Sequence, residues 1–194
     1  AKSTTYLREA IAAEQDAVQK ELLLVRLSMT ELAAKNPTAA AVAANEAKAL
    51  NPNNGMAYFA LAQAYAASAA SCSGLEGQAI FWVAYDTMTQ AANLLANDAD
   101  AGNFAQTARD AAANYRRGFP TAEECFFNEL MEGARYTITC GPARGIVTTV
   151  RPGSDIVCTN DAPKHSTICT GSTSHRGKCY LAIFVRQGVG GRRA

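Results

Sequence analysis

Residues Ala49 to Cys72 read ALNPNNGMAYFALAQAYAASAASC, and the fold turns on this stretch. Its first part is a stop, because the residue before a proline resists the helical region and Asn-Gly tolerates positive φ, so Asn51-Pro52-Asn53-Asn54-Gly55 ends one helix and spaces it from the next. Its second part, Met56 to Ser71, sets Tyr58, Leu61, Ala62 and Tyr65 on one helical face. The alanines around them allow another helix to approach closely.

Working outward, the same pattern recurs on both sides. Asn36-Pro37 is a second breaker, so Thr38 to Leu50 is a short helix between two stops. Ser3 to Lys35 has no glycine or proline and repeats Leu7, Ile11, Val18, Leu22, Val25, Met29 and Leu32 at helical spacing, which predicts one long helix or two. Downstream, Cys72 to Gly77 (CSGLEG) reads as a loop. Gln78 to Ala96 carries Trp82, Tyr85, Met88, Ala92 and Leu95 at i, i+3, i+4 spacing, and NDADAG is a polar turn after it. Asn103 to Arg117 is a last helix, ended by Gly118 and Pro120.

Beyond Pro120 the chain changes character. Thr121-x-x-Glu124 has the pattern that caps a short helical turn. RYTITC and IVTTV are rich in β-branched residues, and Gly141-Pro142-Ala143-Arg144-Gly145 between them suits a hairpin loop. After Arg151 the sequence is rich in Ser, Thr and Gly until Tyr180, Leu181, Ala182, Ile183, Phe184 and Val185, an apolar run of strand length. Composition follows the same division: 34 alanines lie in the first 113 residues and 6 in the remaining 81. Residues 1–152 carry 12 Lys and Arg against 15 Asp and Glu, a net −3, whereas 153–194 carry 6 against 2, a net +4.

The totals exclude several classes. With 48% hydrophobic and 18% charged residues, 194 residues can bury a substantial core, which argues against disorder. A net charge of +1 gives no long-range field to gather phosphates, so nucleic acid is not the expected partner. No run of about 18 apolar residues offers a transmembrane segment. The start at Ala1, without methionine, suits an exported chain that has lost a leader as well as a fragment.

Short helix pairs with small residues at set places suggest a tetratricopeptide repeat, a helix-turn-helix unit of about 34 residues. Tyr58, Leu61, Ala62 and Tyr65 match its first-helix positions. Ala40, Ala44, Ala47 and Pro52 match the second helix of the preceding unit, and Ala84, Met88 and Ala91 match the second helix of their own. Ala40 to Ala84 spans 44 residues, so about ten have been added, and Cys72 to Gly77 is where they are expected. The closing proline near Ala96 is missing. Residues 49–72, then Gln78 to Asp86, NYRRGFPTAEECFFNELMEGARYTITCG and VTTVRP together resemble the C-terminal portion of secreted or periplasmic tetratricopeptide proteins of Bacteroidetes-type bacteria, over about residues 40–152. The resemblance implies a protein-binding groove, with Tyr58, Gln63 and Tyr65 facing a peptide or protein partner and Leu61 packed inside. It also implies a secreted, cell-surface or periplasmic setting.

Chemistry is sparse. Cys72, Cys125, Cys140, Cys158, Cys169 and Cys179 allow three disulfides, and the pairing stays open. Cys158, His165, Cys169, His175 and Cys179 follow C-x6-H-x3-C-x5-H-x3-C. Four of them would satisfy a zinc ion, but the close C-x2-C knuckle is missing and disulfides are the preferred reading. No motif builds an oxyanion hole for a cysteine nucleophile or orients a histidine beside it. Glu123-Glu124 and Glu129-Glu132 read as a solvated face. Gly188-Val189-Gly190-Gly191 precedes no helix and cannot cradle a phosphate there.

The sequence thus predicts a mainly α fold of tetratricopeptide-like helix pairs with a small C-terminal β-hairpin. Its parts are helical repeats over 1–119, a capping segment over 120–152 that covers the last helix, and a basic Cys/Gly-rich tail over 153–194. A non-enzymatic binding scaffold without a cofactor or metal is the first expectation. A subunit of a surface fibre or homo-oligomer, joined by pairing of the Tyr180 to Val185 strand, is the alternative.

Overall fold

A computed structural model describes residues 2–153. Helices α1 (Lys2–Ala13), α2 (Ala17–Ala33), α3 (Pro37–Leu50), α4 (Gly55–Ser68), α5 (Gly74–Ala96) and α6 (Phe104–Tyr115) follow one another, and each packs on the next. α2 also meets α4 across α3. A short helix α7 (Ala122–Phe127) and the strands β1 (Arg135–Thr137) and β2 (Val147–Thr149) complete the described chain. The tail strand Tyr180 to Val185 and the cysteines and histidines from Cys158 to Cys179 lie outside the described residues.

The stops work through their side chains. Asn36 Oδ1 accepts the Ala39 N–H at the start of α3, and Asn54 Oδ1 accepts the Ala57 N–H at the start of α4, each satisfying a donor the helix itself cannot. Ser3 to Lys35 resolves into two helices although no glycine or proline divides it. Asp16 is the reason: its Oδ1 takes the Val18 and Gln19 N–H groups at 2.7 and 3.1 Å and begins α2 afresh. The new start also re-aims the helix. Val18 and Leu22, expected on the apolar stripe, are 63% and 55% exposed, while Leu24 and Leu27 are buried.

Alanine lines the contacts between helices. Ala40, Ala44, Ala60, Ala64, Ala79 and Ala84 share one core with Leu61, Tyr65, Ile80 and Trp82. Phe59, Ala62, Met88, Ala91, Ala92 and Leu95 form a second core with Ala108 and Ala112 of α6. A methyl group fills little space, so backbones approach closely and dispersion contacts accumulate without bulky side chains. α4 is consequently buried on nearly every side.

The CSGLEG loop is shorter than expected, because α5 begins at Gly74 and only Cys72 and Ser73 separate it from a 3-10 turn over Ala69–Ser71. Gly77 lies inside the helix for a packing reason. A Cβ there would sit 2.9 Å from the carbonyl oxygens of Ala69 and Cys72. The stretch expected as a loop is thus largely helical.

The capping box at Thr121 forms as its sequence predicts: Glu124 N–H donates to Thr121 Oγ1 at 3.1 Å and Thr121 N–H to Glu124 Oε2 at 2.8 Å. The hairpin also forms, with Arg135, Tyr136 and Thr137 opposite Thr149, Thr148 and Val147 in antiparallel register. Its position differs from the expectation. It packs on α5, and the 3-10 turn Gly141–Ala143 reaches α3 and α4, so its main contacts lie on these helices and not on α6. Ile138, Ala143 and Val150 are fully buried in the same core as Trp82.

Trp82 organises that junction. Its indole N–H donates to the Arg151 carbonyl at 2.7 Å, and its ring meets Tyr136 and Phe119 edge to face at 5.6 and 6.5 Å. Asp86 adds a second tie, accepting from Thr148 Oγ1 and pairing with Arg151, both at 2.9 Å. Cys72 and Cys140 form a disulfide between the start of α5 and the hairpin loop, while Cys125 is buried in the core.

Two predictions follow from the junction. Trp82→Phe leaves the Arg151 carbonyl without its donor and should lower unfolding free energy by about 1–3 kcal/mol in denaturant titrations followed by circular dichroism. Burial pushes the Tyr115 and Tyr136 hydroxyls up to about 12, with the Glu76 carboxylate adding to the effect at Tyr136. A raised folded value means that stability is complete below the ordinary value of 10.0 and falls as pH climbs toward 12. The denaturation midpoint should decline across that window and decline less in Tyr136→Phe; a flat profile would contradict this.

Candidate protein-binding surface

The three residues expected to face a partner do not form one surface. Tyr65 is 3% exposed; burial raises its proton affinity above the ordinary phenol range, against a hydrogen bond with the half-buried Asn45. It is a packing residue, for the same reason that Leu61, at 1% exposure, packs inside as expected. Tyr58 is half-buried with Lys48 Nζ over its ring at 5.5 Å, and Gln63 is half-buried. Five residues of helix separate Tyr58 from Gln63, a rotation of about 140°, which places them on different sides of α4.

A concavity is instead built by the first three helices. A cleft of about 270 Å³ opens between α1, α2 and α3. Leu24 and Leu27 of α2 and Ala43 of α3 are its buried residues; Ile11 of α1 and Val42 of α3 wall it, and Arg8 and Glu46 are exposed lining residues. Its origin is local. None of the side chains from Ser3 to Ala13 is fully buried, so α1 leaves the α2–α3 junction partly uncovered. The volume lies below the roughly 300–1,000 Å³ of typical small-molecule sites, and it suits one or two apolar side chains of a polypeptide.

A line of buried polar groups on α2 holds this end in shape. Glu31, 5% exposed, pairs with Arg8 at 2.8 Å and accepts from Asn36 Nδ2 at 3.2 Å. Ser28 Oγ donates to the Ala40 carbonyl at 2.9 Å. Glu21, 7% exposed, accepts from the amide groups of Asn51 and Asn54. Asn36 and Asn54 therefore work at both ends of the amide: oxygen caps a helix, nitrogen binds a carboxylate of α2. The arrangement fixes Arg8 at the cleft and sets α3 and α4 against α2. Sequence reading missed it because Glu21, Ser28 and Glu31 stand among apolar neighbours and read as the wet side of the helix. Their i, i+7, i+10 spacing, beside Asn-Pro breakers, was the available signal.

Two carboxylates elsewhere, Glu124 and Glu76, have structural duties. Glu124 closes the capping box and accepts from Gln78; the Thr121 backbone N–H, followed by Gln78, holds its carboxyl below the ordinary range. Glu76 accepts from the Tyr136 hydroxyl at 2.6 Å and from the Thr139 N–H at 3.2 Å. Among the described residues no helix is long and apolar enough to cross a membrane. Comparisons with protein-family models, with curated proteins and with solved structures find no match for this chain.

The dual role of the asparagines generates a prediction. Glu21→Ala strands the Asn51 and Asn54 amide donors and should cost about 1–3 kcal/mol. Glu21→Gln keeps an acceptor oxygen and should cost clearly less. Equal losses in thermal and denaturant melts would show that the carboxylate is not their anchor.

Proposed function

We propose that this chain is a non-enzymatic protein-interaction scaffold whose stacked, tetratricopeptide-like helix pairs hold a segment of a partner polypeptide. The observation that carries the reading is the α1–α3 cleft: Ile11, Leu24, Leu27 and Val42 form an apolar recess, with the charged Arg8 and Glu46 also lining it. Apolar anchors in a small recess with charged groups alongside are how helical scaffolds grip peptides.

The repeat reading draws support from burial and packing order. Ala40, Ala44, Ala47, Ala62, Ala84, Met88 and Ala91 are all fully buried at the places where the repeat needs small or apolar side chains. Each helix from α2 to α5 packs on its successor, and α2 meets α4 as first helices of adjacent units would. The Cys72–Cys140 disulfide favours an oxidising compartment, in keeping with the bacterial envelope setting that the sequence resemblance implies.

Selection of a displayed random-peptide library against the full chain tests the reading. Enriched peptides should share an aliphatic or aromatic anchor. Val42→Glu, a change at a position already 54% exposed, should weaken them at least about tenfold while the circular dichroism spectrum stays the same. Peptides that bind Val42→Glu as tightly as the unaltered chain would remove the cleft from consideration.

A further inference from the structure

Among the described residues, helix α7 is anchored through its core-facing side. Cys125 is 2% exposed in the core, Leu130 packs half-buried against the same core, and Gln78 Nε2 donates to both Glu124 oxygens at 3.0 and 3.1 Å. The rest of the segment presents Phe126, Phe127 and Met131 to solvent at 78%, 72% and 77% exposure. The two rings meet edge to face at 6.0 Å.

The turn that carries them is fixed. Leu130 N–H donates to the Cys125 carbonyl at 2.9 Å, Glu129 N–H to the Phe126 carbonyl at 3.1 Å, and Asn128 Nδ2 to the Glu124 carbonyl at 2.8 Å. Glu129 adopts φ 56°, a left-handed conformation that costs a residue with a Cβ about 1–2 kcal/mol. A surface held in this way loses little conformational freedom when something binds to it.

Charge and area narrow what that could be. From Phe119 to Ala134 there are four glutamates and no lysine or arginine. Glu124 is committed to the capping box, but Glu123 and Glu129 are exposed and stand within three residues of the rings. The apolar surface amounts to roughly 400 Å², a size at which exposed patches are often functional. It is about half of the ~800 Å² per partner that a stable protein–protein interface buries. Two copies meeting here would bring glutamates against glutamates, and an anionic lipid surface would be repelled.

We infer that Phe126, Phe127 and Met131, flanked by Glu123 and Glu129, form a docking site for a short cationic amphipathic segment of a partner protein. Apolar side chains of that segment cover the rings, and its lysines or arginines pair with the two carboxylates. The site is independent of the α1–α3 cleft.

The probe is a fluorescently labelled peptide of leucine and lysine at helical spacing, titrated against the full chain. Phe126→Ser with Phe127→Ser should weaken it about tenfold or more. Glu123→Gln with Glu129→Asn should weaken it several-fold and flatten its salt dependence. Leu50→Ser, which removes an isolated exposed leucine, should leave it unchanged, and a leucine–glutamate peptide should not bind. The inference falls if the phenylalanine variant binds like the unaltered chain, if the acidic peptide binds equally well, or if the carboxylate variant shows no loss. It falls also if the phenylalanines drive self-association in sedimentation, or adsorption to phosphatidylglycerol vesicles, without leucine–lysine binding.

Discussion

The hydrogen bond from Trp82 to the Arg151 carbonyl joins residues 69 positions apart, and much of the architecture follows from it. An indole buried to 0% exposure needs an acceptor for its N–H, and α5 lies among alanine-lined helices that offer none. The acceptor comes from the end of the hairpin. Phe119 and Tyr136 then close over the ring, so the segment after Pro120 shares a core with the helices it follows.

Legibility in the sequence depended on how local the determining interaction is. Asn36, Asn51–Gly55 and Thr121–Glu124 announce helix ends because the capping and turn-forming part of their work is done within three or four residues. The hairpin was readable from β-branched runs around a glycine loop. Asp16 was not, since a lone N-cap inside an apolar-periodic run looks like a surface carboxylate until the helix restarts. Gly77 was misleading for the opposite reason: glycine most often marks a turn, but here it admits two carbonyls. The position of the hairpin on α5 depends on contacts some 60 residues apart, which no periodicity encodes.

The candidate site was harder to read. Tyr58, Gln63 and Tyr65 all belong to one helix, whereas the concavity is made by three, and its floor depends on α1 covering α2 incompletely. Glu21 and Glu31 were invisible as anchors because their partners are asparagines of later helix ends. α2 acts less as an amphipathic helix than as a rail with polar fastenings, at which the capping residues of α3 and α4 are attached. A fold assembled in this manner can vary its exposed residues, Val18 and Leu22 among them, without disturbing what aligns its helices.

The disulfide between Cys72 and Cys140 closes a covalent ring of 68 residues' separation that contains all of α5, α6 and α7 together with β1. The exposed turn from Asn97 to Asp100 lies within that ring. A peptide bond broken there leaves one covalent molecule, with the two fragments still crossing through both alanine-lined cores. Such a chain can be nicked and remain assembled until it meets a reductant, so backbone continuity and structural integrity are separate properties over nearly half of the described residues.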